Sequence, residues 1–364
     1  MHEHDFDQSP ETAPEDLLDL NEVMQAFGIS EWKNLGPDQF ARGGSLTLLV
    51  EVQGQRYSLR ERPEGMLGED LRHRYAFRRY LRQAGIPIPD LWLTSGGEPV
   101  VMRGEDAFEL QRWPGGELFG TGHPRHLDWI EAAGGMLGRL HHVSRGYKES
   151  PHRWPSEVHM GAMVQGWLNL ARAKADESEI QAVAAALSHC VDQWEMALPA
   201  AMMSIGAGGD LPEWHIHGDY HALNLRFRDD GVAAVLGLEA SHWEKRIFEV
   251  AYALFSFSAL AWEPTESLAR PLVKRGFDPE SARRFLKGYA EFCSPVKGEA
   301  ELLADAVMVM VPVATINGPL EDLFYAQETL DEALIEDIME RLTWAASLPA
   351  WLARVRHSIA EMWD

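Results

Sequence analysis

The feature that most limits how this chain can fold is a change of hydrophobic period near His126. Ahead of it, apolar residues alternate in short runs; beyond it they recur at helical spacing over long stretches. Ser45-Leu-Thr-Leu-Leu-Val-Glu-Val52 and Arg56-Tyr-Ser-Leu-Arg-Glu-Arg62 flank Gln53-Gly54-Gln55, which predicts a β-hairpin. A charged amphipathic helix is expected from Glu69 to Ala84, with Leu71, Tyr75, Phe77 and Leu81 on its apolar side. Gly85 suits its C-terminal cap, and Pro87 and Pro89 forbid its continuation. Extended pieces follow at Asp90–Thr94, Pro99–Met102 and Phe108–Trp113.

From Trp129 the periodicity predicts helices over Trp129–His142, Val164–Ala175 and Glu179–Leu198. Helical pattern returns at Asp278-Pro279, a capping residue followed by proline at the first helical position. Strand signals at Trp214–Ile216, Leu225–Arg228 and Val232–Leu238 interrupt it. The class is therefore α+β in two lobes: a small antiparallel sheet with one helix over residues 16–113, then a larger, mainly helical lobe over 114–364. Residues 1–15, acidic and poor in large apolar groups, read as a disordered tail. The lobes are expected to enclose a cleft.

The formal net charge of -23 disfavours a nucleic-acid or anionic-membrane partner and leaves a small molecule, neutral or cationic, as the easier one. Two isolated cysteines, Cys190 and Cys293, supply neither a disulfide framework nor a zinc site. No apolar run reaches the roughly 20 residues of a membrane span, and the N-terminus lacks a secretory pattern, so a cytoplasmic location is expected.

His217-Gly218-Asp219-Tyr220-His221-Ala222-Leu223-Asn224 sits between two of the strand signals, ahead of the turn Asp229-Asp230-Gly231. An aspartate followed five positions later by an asparagine is the spacing of the catalytic loop of phosphoryl-transfer enzymes: such a loop turns the aspartate toward an incoming hydroxyl while the asparagine points back at a metal on the nucleotide phosphates. With this loop the chain resembles the aminoglycoside phosphotransferase and choline kinase-like family, which has a protein-kinase-like fold. The resemblance spans most of residues 35–345. It takes in Gly43-Gly44-Ser45, Tyr57-Ser-Leu-Arg60, Leu81-Arg-Gln-Ala-Gly-Ile-Pro-Ile-Pro89, Trp113-Pro-Gly-Gly116, Leu137-Gly-Arg-Leu-His141 and Arg246-Ile-Phe-Glu-Val-Ala251. No shorter piece is specific alone; their order and spacing together are.

The resemblance implies an ATP-dependent transfer of the γ-phosphoryl to a small-molecule hydroxyl. Asp219 would take the acceptor's proton, and Asn224 would bind magnesium. Arg60 would face the nucleotide phosphates, Gly43, Gly44 and Ser45 would form the loop over them, and Leu110 and Gln111 would offer backbone groups to the adenine. His141 and His217 would pack and hydrogen-bond around the catalytic loop, which Glu249 would buttress. The acidic balance permits a cationic acceptor.

Two positions depart from the pattern. Where the family has a metal-binding aspartate, Val235-Leu236-Gly237-Leu238-Glu239 has glycine. Glu239, two residues on, would share a strand face with Gly237 and stand in as the ligand. On the helix of the first lobe, the family's glutamate is replaced by Arg74, with Glu69 or Asp70 as substitutes one turn earlier. These losses keep a second reading open: a pseudokinase, binding a nucleotide or metabolite without turnover.

Overall fold

The computed structural model describes residues 15–37, 47–62, 69–103, 106–148, 160–229, 231–262, 273–274, 276–325 and 331–363. Residues 1–14 of the proposed tail and Gly43, Gly44 and Ser45 lie outside them, while Glu15, the last residue assigned to the tail, opens a helix. The chain divides into two compact units, Met1–Gly68 with Pro89–Trp113, and Glu69–Ile88 with Pro114–Asp364.

In the first unit, helix α1 (Glu15–Ala26) places Leu20, Val23, Met24 and Phe27 at helical spacing in the unit's apolar core. The sheet runs in the order β1-β2-β3-β5-β4, all pairs antiparallel: β1 (Lys33–Pro37), β2 (Thr47–Val52), β3 (Gln55–Arg62), β4 (Val101–Arg103) and β5 (Asp106–Arg112). The hairpin turns where expected, with Gln53 and Gly54 both at positive φ. Strand β1 carries no strand signal in Lys33-Asn-Leu-Gly-Pro37; it pairs through a bulge between Asn34 and Gly36, where φ of 99° suits glycine. Of Asp90–Thr94, Leu91 alone makes a bridge, to Gln111.

The second unit begins with α2 (Glu69–Gln83), which Gly85 ends at φ 84° as its sequence predicts. This helix was expected in the first lobe; instead Phe77, Leu81, Ile86 and Ile88 are buried in the second unit's core. Helices α3 (His126–Ser144), α4 (Met160–Glu177), α5 (Gln181–Ala207), α6 (Arg246–Ala259), α7 (Pro279–Ala290), α8 (Glu299–Tyr325) and α9 (Glu332–Ala360) make up most of it. Asp278 caps α7, its carboxylate accepting from the N–H groups of Glu280 and Ser281 at 3.2 Å each. Helices α3 and α7 touch backbone to backbone, because a Cβ on Gly134 would stand 2.0 Å from the Phe285 carbonyl oxygen and one on Gly288 equally close to that of Glu131. Inserted between α5 and α6 are two short antiparallel pairs, β6 (Glu213–Ile216) with β9 (His242–Lys245), and β7 (Leu225–Arg228) with β8 (Gly231–Val235). Among the described residues no helix is long and apolar enough to cross a membrane.

Candidate active site

The segment that carries Asp219 leaves β6 and is pinned on three sides. Gly218 has φ 86°, and a Cβ there would stand 2.1 Å from the Ala240 carbonyl oxygen, so a side chain is excluded by conformation and by space. His217 donates from Nε2 to the Leu236 carbonyl at 2.6 Å, and its Nδ1 accepts from the Asp219 N–H at 3.2 Å, which fixes the tautomer. Tyr220 is fully buried and donates its hydroxyl to the Ala133 carbonyl on α3 at 2.8 Å. Next comes one 3-10 turn, Ala222–Asn224, capped by His221, whose Nδ1 accepts from the Leu223 N–H. The Leu236 N–H then donates back to the Asn224 carbonyl at 2.8 Å, tying the end of β8 to the loop.

Beneath the loop lies a buried network. The Glu249 carboxylate, in the first turn of α6, accepts from the backbone N–H groups of His217 (3.0 Å) and Gly218 and from His141 Nε2 (2.7 Å). His141 Nδ1 accepts from the Tyr289 hydroxyl at 2.8 Å. Burial disfavours the charged imidazole and outweighs the neighbouring carboxylate, so His141 stays below its ordinary pKa and neutral. Burial also works against the Glu249 carboxylate, yet the bonds from His141 and the loop hold it below the usual range and ionised. Glu249 thus does what the resemblance implies, and His141 and His217 hydrogen-bond around the loop.

Asp219 keeps 43% of its side-chain surface exposed. Its Oδ2 accepts from Asn224 Nδ2 at 2.8 Å and lies 3.3 Å from His221 Nε2; Oδ1 lies 3.4 Å from the Tyr252 hydroxyl of α6. Partial burial raises its pKa, but the His221 and His217 imidazoles and the Asn224 amide lower it by more, leaving a carboxylate ionised at neutral pH. His221 stacks on Trp262, centroids 5.7 Å apart and planes 7° from parallel. Trp262 is held in turn: its backbone exchanges hydrogen bonds with Thr121, and its indole N–H donates to the Ser256 carbonyl at 2.9 Å.

Asp219 and Asn224 are therefore brought together, five residues apart across the turn. Glu239 is not where the strand argument puts it. Strand β8 ends at Val235, Gly237 is left-handed at φ 75°, and Leu238–Ala240 form a 3-10 turn, so alternation of faces stops before residue 239. Glu239 itself is half-buried in that turn.

In the first unit Arg60, on β3, stands opposite Glu109 on β5, with Nη1 3.8 Å from Oε1. Glu109 is fully buried and also pairs with Arg62 at 2.5 Å. Arg60 therefore has an acidic partner on a neighbouring strand. The helix position aligned with the family's glutamate holds Arg74, which is buried, and the side chains of Glu69 and Asp70 lie outside the described residues. Leu110 and Gln111 are inside the β5 ladder, and the Leu110 carbonyl already accepts from the Trp92 N–H at 2.7 Å.

Sequence reasoning missed Glu109, Tyr252 and Trp262. Glu109 had a signal, a lone carboxylate within the apolar run Phe108-Glu-Leu110; the other two had none, being aromatic residues of an apolar stretch.

The profile of the phosphotransferase enzyme family matches residues 39–289. Among solved structures, a microcompartment-associated aminopropanol kinase superposes with a TM-score of 0.62 at 14% identity, covering 95% of this chain and 99% of its own. Choline kinase from Cryptosporidium parvum gives 0.58 at 12% identity, over 90% and 91% of the two chains. A spectinomycin phosphotransferase in complex with ADP and spectinomycin gives 0.57 at 12%, over 95% and 99%. At such identity these are likenesses of fold. No curated protein matches the sequence.

Proposed function

The chain belongs to the phosphotransferase enzyme family and has its protein-kinase-like fold, and from that premise we propose that it transfers the γ-phosphoryl group of ATP to a hydroxyl of a small molecule. The observation that carries this reading is the state of Asp219: ionised, partly open to solvent, and hydrogen-bonded at Oδ2 by the asparagine that the loop spacing pairs with it. As the acceptor oxygen bonds to phosphorus and ADP departs, Asp219 takes the hydroxyl proton. Transfer of this kind relies on orientation and fixed charge more than on covalent help, which suits a base buttressed through a buried carboxylate. Arg60, steadied by Glu109, meets the phosphates. With the Leu110 carbonyl committed, the adenine is left to other backbone groups around Gln111.

ATP as donor is supported by the spectinomycin phosphotransferase, whose complex holds ADP. The acceptor class draws on two names: choline and aminopropanol each combine a hydroxyl with a cationic nitrogen, and a net charge of -23 favours such a compound. Magnesium, when bound, would neutralise the charge that develops on the phosphates. The residues present do not fit it as the sequence led one to expect. Gly237 offers no ligand, Glu239 has left the strand, and the space a side chain at 237 would need is filled by Asn224.

The test is release of ADP from ATP in the presence of a panel of amino alcohols and amino sugars. Turnover is expected with at least one acceptor and is lost in Asp219→Ala; a panel in which no acceptor raises turnover above the Asp219→Ala background sinks the reading.

A further inference from the structure

Gly237 departs from the family pattern while Asn224 keeps it, and the geometry joins them. A Cβ built on Gly237 would lie 2.5 Å from Asn224 Nδ2, 2.6 Å from Cγ and 2.8 Å from Oδ1. Real Cβ atoms do not approach other atoms that closely, so the whole amide head occupies the volume into which the missing aspartate would project. The head is directed as well as seated. Nδ2 lies 2.7 Å from the Asp219 carbonyl oxygen and 2.8 Å from its Oδ2. The opposite amide orientation would set oxygen against two oxygens, so the NH2 group must face Asp219. Nδ2 also stands 3.2 Å from His221 Nε2, but its two hydrogens go to the two closer oxygens of Asp219.

Resting on the proposed phosphotransfer, we infer that Asn224 in this chain is a positioning residue for Asp219, seated in the space that Gly237 leaves open, and not a ligand of magnesium. The glycine and the asparagine then form one device. The lost carboxylate frees the volume; the amide moves in and fixes the backbone and carboxylate of the base. His221, stacked on Trp262 and 3.3 Å from the same Oδ2, holds that oxygen from a second direction. Reinstating aspartate at 237 would not rebuild a metal site but would evict Asn224, and it would do so at φ 75°, where a side chain is strained.

Two measurements decide it. The first needs no nucleotide: thermal unfolding of the wild type, Gly237→Ala, Asn224→Ala and the double variant. Backbone strain at 237 enters both backgrounds equally and cancels, so the coupling isolates the clash with the amide. The alanine at 237 is expected to lower the midpoint by a larger margin when Asn224 is present than when it is absent; an equal loss in both backgrounds overturns the seating. The second reads the role, with ADP binding by calorimetry in Mg2+ and in EDTA. Any tightening by Mg2+ is expected to be the same, within about threefold, in wild type and Asn224→Ala; tightening that disappears in Asn224→Ala makes the residue a ligand and overturns the inference.

Should Asn224→Ala fail to fold, Asn224→Asp serves. It is isosteric and keeps a ligand oxygen, but loses both hydrogens and sets two carboxylates face to face. The positioning role predicts a drop in kcat of about a hundredfold with KM for ATP nearly unchanged, whereas retained turnover refutes it. Absence of ADP binding in every variant would instead sink the proposed phosphotransfer, leaving the thermal cycle to judge the seating by itself.

Discussion

Replacing Glu249 by alanine removes an acceptor from three buried donors at once: His141 Nε2, the His217 N–H and the Gly218 N–H. The carboxylate is 2% exposed, so water cannot replace it without opening the structure. Breaking a buried charged network from one side costs about 3–5 kcal/mol, and at roughly 2 °C per kcal/mol for a cooperative unit of this size the melting midpoint falls by about 6–10 °C at pH 7. The pH dependence sharpens the case. Glu249 has its folded pKa below its ordinary value of 4.5, so the stability it supplies is present above that value and is lost as pH falls through the lower, folded one. His141, held below its ordinary 6.5, likewise gives stability that is complete above 6.5 and declines beneath it. The wild type therefore sheds the Glu249 contribution in acid, while the variant has none to shed, and the two midpoints converge below about pH 4.5. The assay is thermal unfolding by circular dichroism from pH 8 down to about pH 2.5, with urea unfolding at pH 7 for the free-energy scale. A loss under about 1 kcal/mol at pH 7, or a gap that stays constant into acid, would show that the Glu249 carboxylate does not hold the loop.

Two further substitutions probe the scaffold that presents the loop. Gly134→Ala pushes a methyl against the Phe285 carbonyl at 2.0 Å where α3 meets α7, and is expected to destabilise by about 1–3 kcal/mol in urea unfolding. A neutral result would mean that the two helices are free to separate. Arg246→Ala strands the Glu299 carboxylate, which is fully buried, and removes a guanidinium lying 5.2 Å from the Trp214 ring and 5.9 Å from those of Tyr289 and Trp363. It should cost about 3–5 kcal/mol, and Arg246→Lys should recover only part of that loss, because an ammonium cannot reproduce the two-pronged contact. Full recovery by lysine would show that charge alone matters.

Much of the fold was legible because its signals are local. The hairpin of β2 and β3 announced itself by alternation around a turn, α2 by its apolar spacing and its terminal glycine, α7 by Asp278-Pro279. Strand β1 was not legible, since Lys33-Asn-Leu-Gly-Pro37 is extended only because β2 offers it a ladder. The assignment of α2 to the first lobe failed for a related reason: an amphipathic stripe says that a helix is buried on one side and does not say against which partner.

The loop and its chemistry can be read from neighbouring residues of the chain. Asp219 and Asn224 are five residues apart, a separation that one 3-10 turn converts into a contact, and the left-handed Gly218 and the His217 Nδ1 bond to the Asp219 N–H shape the approach to that turn locally. Tertiary structure decided everything that needs chain segments far apart. Glu249, 31 residues beyond Gly218, acts through space on the loop's backbone; Trp262 reaches His221 from the far end of α6; Glu109 finds Arg60 across a ladder. The meaning of Gly237 belongs here too. Read along the chain it is an absent ligand, with Glu239 next in line. Read in space, a left-handed turn takes Glu239 off the strand and the volume without a side chain holds the Asn224 amide, because a close-packed interior fills an open position with the nearest group that can hydrogen-bond there.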